Sequence, residues 1–176
     1  MKLYVLRHGQ CWANARGLAA GAGDNSFLTV QGVSESEAAA RELAHLHFDA
    51  ILTSPLRRAV QTAEILRDEI APNLAIESNP DFKELDIGEC TDGPDANYVP
   101  IMMAGKVPSG GEPLAHFLRR VEHGLESLKK RHLGTVLLVC HQGTARMIDC
   151  SIQHWPATSF GHHPGLANGE LKEIQL

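Results

Sequence analysis

Short apolar runs alternate with longer amphipathic segments along this chain, and the alternation is the strongest constraint on its fold. The predicted strands are the five runs rich in Val, Ile and Leu: residues 2–6, 48–53, 74–78, 135–140 and 170–176. The predicted helices between them are residues 30–46, 55–70, 112–132 and 143–153. This order is typical of βαβ units around a mostly parallel sheet. We therefore expect an α/β fold with residues 135–140 at its centre and residues 170–176, which mix polar and apolar side chains most evenly, at an edge.

Length and charge limit the classes of function. A chain of 176 residues is long enough for one domain with a sizeable core, and its net charge of -5 gives no reason to expect a nucleic acid partner. The opening stretch "MKLYVLRHGQ" has too few consecutive apolar residues to be a secretory or membrane segment. The four cysteines lack CxxC spacing. These features predict a cytoplasmic protein that acts on a small molecule, and they leave its oligomeric state open.

The ten histidines raise the question of a metal site. No HxxxH or HExxH pair lies on a predicted helix, and neither "GHHPG" at 161–165 nor the adjacent Cys140 and His141 has the spacing of a ligand set. We therefore expect neither a metal ion nor another cofactor.

Three predicted strands run into similar polar residues. These residues are Arg7 and His8 after the first strand, Ser54 with Arg57 and Arg58 after the second, and His141, Gln142 and Gly143 after the fourth. The carboxyl ends of strands in an open α/β sheet meet at one crevice. Arginine forks and helix N-termini both suit phosphate oxygens. The sequence therefore predicts a phosphate site at this edge of the sheet.

Each of these residues also has a simpler interpretation. Arg7 can cap a strand, Arg57 and Arg58 can form a solvated helix face, and His141 can be a hydrogen-bonded core histidine. The argument for a site depends on their joint occurrence at three strand ends.

Six stretches together carry a resemblance to a known family. They are "LRHGQ" at 6–10, "LTVQG" at 28–32, "TSPLRRAVQTAE" at 53–64, "ELDIG" at 84–88, "PSGGE" at 108–112 and "VCHQG" at 139–143. In this order they resemble the histidine phosphatase superfamily, which includes cofactor-dependent phosphoglycerate mutases and fructose-2,6-bisphosphatases. The resemblance implies one α/β domain over residues 1–176, with helices on both faces of the sheet, an antiparallel edge strand and a short lid insertion at about 89–111.

The resemblance also implies roles for individual residues. His8 matches the nucleophile that becomes a phosphohistidine, and Glu84 matches the general acid and base. The residues that it assigns to phosphate binding are Arg7, Asn14, Arg58, His141 and Gln142. Arg58 is preferred to Arg57 because the arginine of the family directly precedes an Ala-x-x-Thr stretch. Periodicity alone leaves Asp86 as a competitor of Glu84, since both face the same way in an extended segment.

The reaction outcome and the substrate are less constrained. Residues 93–108 are shorter than the insertion with which the mutases of this family exclude water, which favours hydrolysis of a phosphorylated metabolite over transfer. Candidate substrates are α-ribazole phosphate and sugar phosphates. The alternatives are a cofactor-dependent phosphoglycerate mutase and a non-catalytic relative that binds phosphorylated ligands. Residues that can line the outer pocket, or simply anchor its loops, are Trp12, Tyr98, Met102 and Met103.

Overall fold

A mixed sheet forms the centre of the molecule in the computed structural model, which describes residues 1–94 and 98–176. Within these ranges the strands are β1 (Lys2–Arg7), β2 (Ala50–Thr53), β3 (Ile76–Ser78), β4 (Thr135–Cys140) and β5 (Leu171–Gln175). Their order is β3-β2-β4-β1-β5. All neighbours pair in parallel except β5, which runs antiparallel to β1. The predicted α/β class, the central β4 and the antiparallel edge strand are confirmed.

Helices follow the sequence pattern closely, except in the predicted loops. In the same ranges the α-helices are α1 (Trp12–Ala15), α2 (Val30–Leu43), α3 (Arg57–Ile70), α4 (Tyr98–Met103), α5 (Leu114–Lys129) and α6 (Gln142–Ile152). Both α1 and α4 lie in Gly-containing segments, residues 11–27 and 89–111, for which the sequence predicts loops, because four to six residues are too few to show a helical period. Residues 95–97 of the second segment lie outside the described residues. No helix in the described part of the chain is long and apolar enough to cross a membrane.

The core has two layers, one on each face of the sheet. On one face, Leu3 and Val5 of β1 belong to the same buried cluster as Phe117 of α5 and Met147 of α6. On the other, Leu6 belongs to the cluster that α2 and α3 cover. Because successive residues of a strand face opposite sides, a central strand covered on both faces must be apolar throughout. This explains the continuous apolar runs of β1 and β4.

Strand register brings the predicted site residues together. Arg7 of β1 pairs with Cys140 of β4, and the backbone N–H of His8 donates to the Cys140 carbonyl at 3.0 Å. On the other side of β4, the N–H of Ser54 donates to the Val139 carbonyl at 3.0 Å. The chain therefore leaves β1, β2 and β4 at one edge of the sheet, as the sequence predicts.

Gly9 permits the close approach that fixes this edge. A Cβ atom at position 9 would lie 2.1 Å from the carbonyl oxygen of Gly32, in the first turn of α2. Thr29 caps that turn by accepting a hydrogen bond from the Gly32 N–H at 3.1 Å. The segment after β1 therefore packs backbone to backbone on α2, which holds His8 at the strand end.

Candidate active site

A cavity opens beyond the carboxyl ends of the strands. Its polar wall is formed by six of the seven residues predicted for the site: Arg7, His8, Asn14, Arg58, Glu84 and Gln142. The seventh, His141, lies against His8, with 5.1 Å between the two ring centroids. The structure thus brings together residues that are far apart in the chain.

His8 forms part of the cavity wall in a defined tautomer. Its side chain is 3% exposed, and its Nδ1 lies 2.7 Å from the carbonyl oxygen of Gly9. Because a carbonyl can only accept, Nδ1 carries the proton and Nε2 keeps its lone pair. The amide of Asn168 donates to the His8 carbonyl at 3.0 Å and fixes the backbone as well.

Burial keeps both histidines neutral. Desolvation holds the pKa of His8 well below its usual value of 6.5, and the positive charges of Arg58 and Arg7 lower it further. The pKa of His141 is lowered in the same direction by burial and then by Arg58. A neutral imidazole, which keeps a lone pair at one nitrogen, is a nucleophile near neutral pH.

Arg58 is a fixed cation next to His8. It is 1% exposed, and its Nε donates to Nε2 of His8 at 3.2 Å. Its two terminal nitrogens donate to the carbonyls of Asp24 and Gly21, at 2.6 and 2.8 Å. The neighbouring Arg57 is exposed and lies over the ring of Phe27 instead, at 4.8 Å from the centroid. The structure therefore places Arg58, and not Arg57, at the cavity.

Two further predicted residues reach the cavity through β1 and α1. Arg7 is held by a hydrogen bond from its Nη1 to the carbonyl of Leu166 at 2.7 Å. The amide oxygen of Asn14 accepts from the Asn168 amide at 3.1 Å and from the Cys11 N–H at 3.3 Å. This orientation leaves the Asn14 NH₂ group as the part that can donate to an anion.

Glu84 is held by backbone donors on either side of its carboxylate. Oε2 accepts from the Gly143 N–H at 2.9 Å, and Oε1 accepts from the Leu85 N–H at 2.8 Å. A Cβ atom at position 143 would lie 2.3 Å from Oε1, so any other residue there would displace the carboxylate from its present position. Asp86 instead accepts from the Gly88 N–H at 3.0 Å and does not line this cavity. The structure thus separates two carboxylates that periodicity could not.

One N–H group at the start of α6 has a different partner from the one expected. The sequence suggested that N–H groups at the start of this helix would face the phosphate, but the Gly143 N–H donates to Glu84. This contact depends on the fold of a distant segment, so nothing local in the sequence could indicate it.

His141 is buried against His8 and does not itself line the cavity. Its Nε2 lies 2.7 Å from the hydroxyl oxygen of Ser54. Its Nδ1 is buried and has no hydrogen-bond partner within residues 1–94 and 98–176. Such an atom is rare in a folded protein and suits a ligand contact. The Ser54 hydroxyl therefore orients the ring while the other nitrogen can meet an oxygen of a ligand.

The apolar part of the wall was only partly predicted. Tyr98 lines the cavity, as the sequence allowed, whereas Met102 is 1% exposed in the core and Trp12 lies outside the wall. Phe160 also lines the cavity, and its position in a short 3₁₀ turn gave no pattern to read. No group of three or more His, Cys, Asp or Glu side chains in the described part of the chain is arranged to hold a metal ion.

Comparison with known proteins identifies the family. A model of the histidine phosphatase superfamily (branch 1) matches residues 3–176. The adenosylcobalamin/alpha-ribazole phosphatase of Salmonella typhimurium is 28% identical over an alignment that covers 92% of this chain and 84% of that protein. The crystal structure of the alpha-ribazole phosphatase from Shigella flexneri has a TM-score of 0.87 at 27% identity, covering 100% of this chain and 91% of that chain.

A mutase is also similar, over a shorter stretch. The 2,3-bisphosphoglycerate-dependent phosphoglycerate mutase of a Bradyrhizobium strain is 42% identical over 90 residues, which are 49% of this chain and 43% of that protein. The chain belongs to the histidine phosphatase superfamily. It is a phosphatase of that superfamily, a hydrolase of phosphoric monoesters, as the sequence predicts.

The neutral histidines predict how stability depends on pH. Because the folded-state pKa of His8 is lowered, the unfolded chain binds a proton that the folded chain does not bind. The free energy of unfolding therefore decreases as pH falls below about 6.5. Each such histidine adds a slope of up to about 1.4 kcal/mol per pH unit in that window. Urea unfolding between pH 7.5 and 5 should show this loss, and His8→Gln should reduce the slope.

The exposed His45 provides the matched control for this measurement. His8→Gln should change the slope more than His45→Gln does. Equal slopes in the two variants would contradict a buried neutral imidazole at position 8.

Proposed function

We propose that this chain hydrolyses the phosphomonoester of a small metabolite through a phosphohistidine intermediate on His8. The observation that carries the proposal is the buried neutral His8, with its proton held on Nδ1 by Gly9 and its Nε2 lone pair beside Arg58 at the cavity. In the first step Nε2 attacks phosphorus while the ester P–O bond breaks. In the second, water attacks phosphorus, the P–N bond breaks, and inorganic phosphate leaves with His8 restored.

Phosphate binding must displace one contact of the free site. Arg58 donates from Nε to the lone pair that attacks phosphorus, so that donor has to exchange His8 for a phosphate oxygen. Its terminal nitrogens can stay on the carbonyls of Gly21 and Asp24, which keep the guanidinium in place. The approach of an anion therefore frees the nucleophile.

The remaining donors suit the charge that develops during transfer. In-line displacement spreads negative charge over three equatorial oxygens, which fixed donors stabilise. The proposed donors besides Arg58 are Arg7, Asn14, His141 and Gln142. Together with Arg58 they come from four separate segments, so no single local movement removes them all.

Glu84 is the proposed general acid and base. It lines the cavity that contains His8, and its carboxylate is oriented by the backbone of Gly143 and Leu85. As an acid it protonates the departing ester oxygen, and as a carboxylate it then takes a proton from the attacking water. The same group returns to its protonated form, so the cycle balances.

The cavity wall suggests the kind of ester. Besides its polar groups, the cavity is lined by apolar and aromatic side chains, among them Leu18, Ile87, Tyr98 and Phe160. Among the described residues that line it, Arg7 and Arg58 are the cations, and both lie near His8. A single phosphate on an uncharged leaving group fits this division. The relatives from Salmonella and Shigella favour α-ribazole phosphate, with sugar phosphates as the second candidate.

Two broader features complete the proposal. We place the reaction in the cytoplasm, since Cys11, Cys90, Cys140 and Cys150 are all free thiols. Residues 89–111, which include α4, are proposed as a short lid that admits water to the phosphohistidine.

A panel of phosphomonoesters assayed with wild type and His8→Ala tests the function. We expect hydrolysis of at least one ester, an acid-labile phosphoenzyme in rapidly quenched samples, and loss of both in the variant. Binding of phosphorylated ligands without turnover of any ester would instead support the non-catalytic alternative.

Arg58 and Arg57 provide a matched pair of substitutions. Arg58→Ala should lower kcat/KM by about 10²–10³, because it removes a preorganised cation from the reacting phosphate. Arg57→Ala should stay within about twofold of wild type, since its side chain is exposed over Phe27. Steady-state kinetics on one ester, with circular dichroism to verify folding, measures both. Equal losses would refute the assignment of Arg58.

The product distinguishes hydrolysis from phosphoryl transfer. When 3-phosphoglycerate and 2,3-bisphosphoglycerate are supplied together, any turnover should release inorganic phosphate, because water reaches the intermediate. Phosphorus NMR of the mixture makes the measurement. Efficient formation of 2-phosphoglycerate would establish the mutase alternative, which the partial match to the Bradyrhizobium enzyme keeps in view.

A further inference from the structure

We infer that Arg120 of α5, paired with Glu112, is the positioning residue that holds Glu84 at the cavity. The inference rests on the proposed role of Glu84 as general acid. Neither Arg120 nor Glu112 lines the cavity that contains His8. Their effect on the reaction would therefore pass through the backbone that carries Glu84.

The segment around Glu84 receives little support from secondary structure. Residues 83–87 belong to neither a helix nor a strand, and they follow a single 3₁₀ turn, Pro80–Phe82. Without a helix or a sheet, the position of the Glu84 backbone depends on contacts from elsewhere. A side chain with many donors is one way to provide them.

Arg120 provides these contacts from one guanidinium. Nη1 donates to the carbonyl oxygens of Asp81 and Lys83, at 2.9 and 2.5 Å. Nη2 donates to the carbonyl oxygen of Glu84 itself, at 3.0 Å. Three of four consecutive carbonyls are thus tied to one planar group on a long helix.

Glu112 fixes the guanidinium in turn. Its Oε1 accepts from Nε of Arg120 at 2.8 Å, and its Oε2 accepts from Nη2 at 2.8 Å. The ring of Phe117 lies below the guanidinium, with its centroid 4.4 Å from Cζ. The backbone N–H of Glu112 also donates to the Asp86 carbonyl at 2.8 Å. The segment is therefore held on both sides of Glu84.

The contacts of the Glu84 side chain complete the arrangement. With its backbone fixed by Arg120, the carboxylate reaches the N–H of Gly143, which belongs to α6. Proton transfer to a departing oxygen requires hydrogen-bond reach. A displacement of a few tenths of an ångström should therefore weaken the acid before it weakens phosphate binding.

Lysine is the informative replacement for Arg120. It keeps the positive charge, which contributes to lowering the pKa of His141, but it lacks the planar fork that serves three carbonyls and a carboxylate together. Arg120→Lys therefore separates geometry from charge. The exposed Arg119 on the same helix gives the matched control, Arg119→Lys.

The experiment compares p-nitrophenyl phosphate, whose leaving group needs little protonation, with glycerol phosphate, whose alkoxide needs an acid. The quantity compared is kcat/KM, because it reports the step that breaks the ester bond and not the later hydrolysis of the phosphohistidine, in which Glu84 is also proposed to act. Glu84→Gln should lower kcat/KM on glycerol phosphate by at least about 10²-fold and on the nitrophenyl ester much less. Arg120→Lys should show the same pattern at about tenfold, with inhibition by inorganic phosphate unchanged. Asp86→Asn and Arg119→Lys should resemble wild type.

The outcomes separate the two proposals. Equal losses on both esters in Arg120→Lys, or weaker inhibition by inorganic phosphate, would reduce Arg120 to a general structural role. If Arg120→Lys has wild-type kinetics while Glu84→Gln shows the leaving-group effect, the inference about Arg120 is wrong and the proposed role of Glu84 stands. Absence of that effect in Glu84→Gln would overturn the proposed acid. If Arg120→Lys fails to fold by circular dichroism, Glu112→Gln, which weakens the fork and keeps the arginine, carries the same test.

Discussion

The contact between Arg58 and His8 is the interaction on which the rest of the site depends. A buried guanidinium has lost its water, and here the carbonyls of Gly21 and Asp24 replace part of it. The Asp24 carboxylate lies 3.6 Å from Nη1 and provides a partial counter-charge. Because this charge is fixed beside a desolvated imidazole, protonation of His8 is disfavoured and the lone pair on Nε2 is retained. The charge of Arg58, the burial of His8 and the proton on its Nδ1 therefore all favour an unprotonated Nε2.

Sheet topology explains why such a contact forms at all. Arg58 and His8 are separated by 50 positions, but they follow β2 and β1, which both pair with the central β4. Parallel neighbours end at the same edge, so the chain delivers a cation and an imidazole to one place without any local sequence relation. Glu84 is not positioned by the end of a strand, because the segment that carries it belongs to neither helix nor strand. It is held from α5 and α6.

This difference also explains what the sequence could predict. Apolar runs and helical periods indicated the sheet, its central strand and the convergence of Arg7, His8 and His141, because those features follow from regular geometry. The sequence predicts loops where the short helices α1 and α4 lie, since these helices are too brief to show a period. The roles of Arg120 and of the Gly143 N–H were not visible, because side chain to carbonyl contacts and backbone donors leave no residue pattern. The fold was thus more predictable than the support of Glu84.

The phosphate-facing groups and the proposed acid are held in place by different parts of the fold. The phosphate-facing groups are set by strand ends and by the buried Arg58, whereas the proposed acid is set by a fork on the far side of its own backbone. A change in the second support can alter proton delivery while the anion site keeps its geometry. Leaving-group preference can therefore vary through α5 without any change at His8. Because the strand ends are constrained by the sheet, we expect proton delivery to be altered more readily through the irregular segment at residues 83–87 than through the groups at the strand ends.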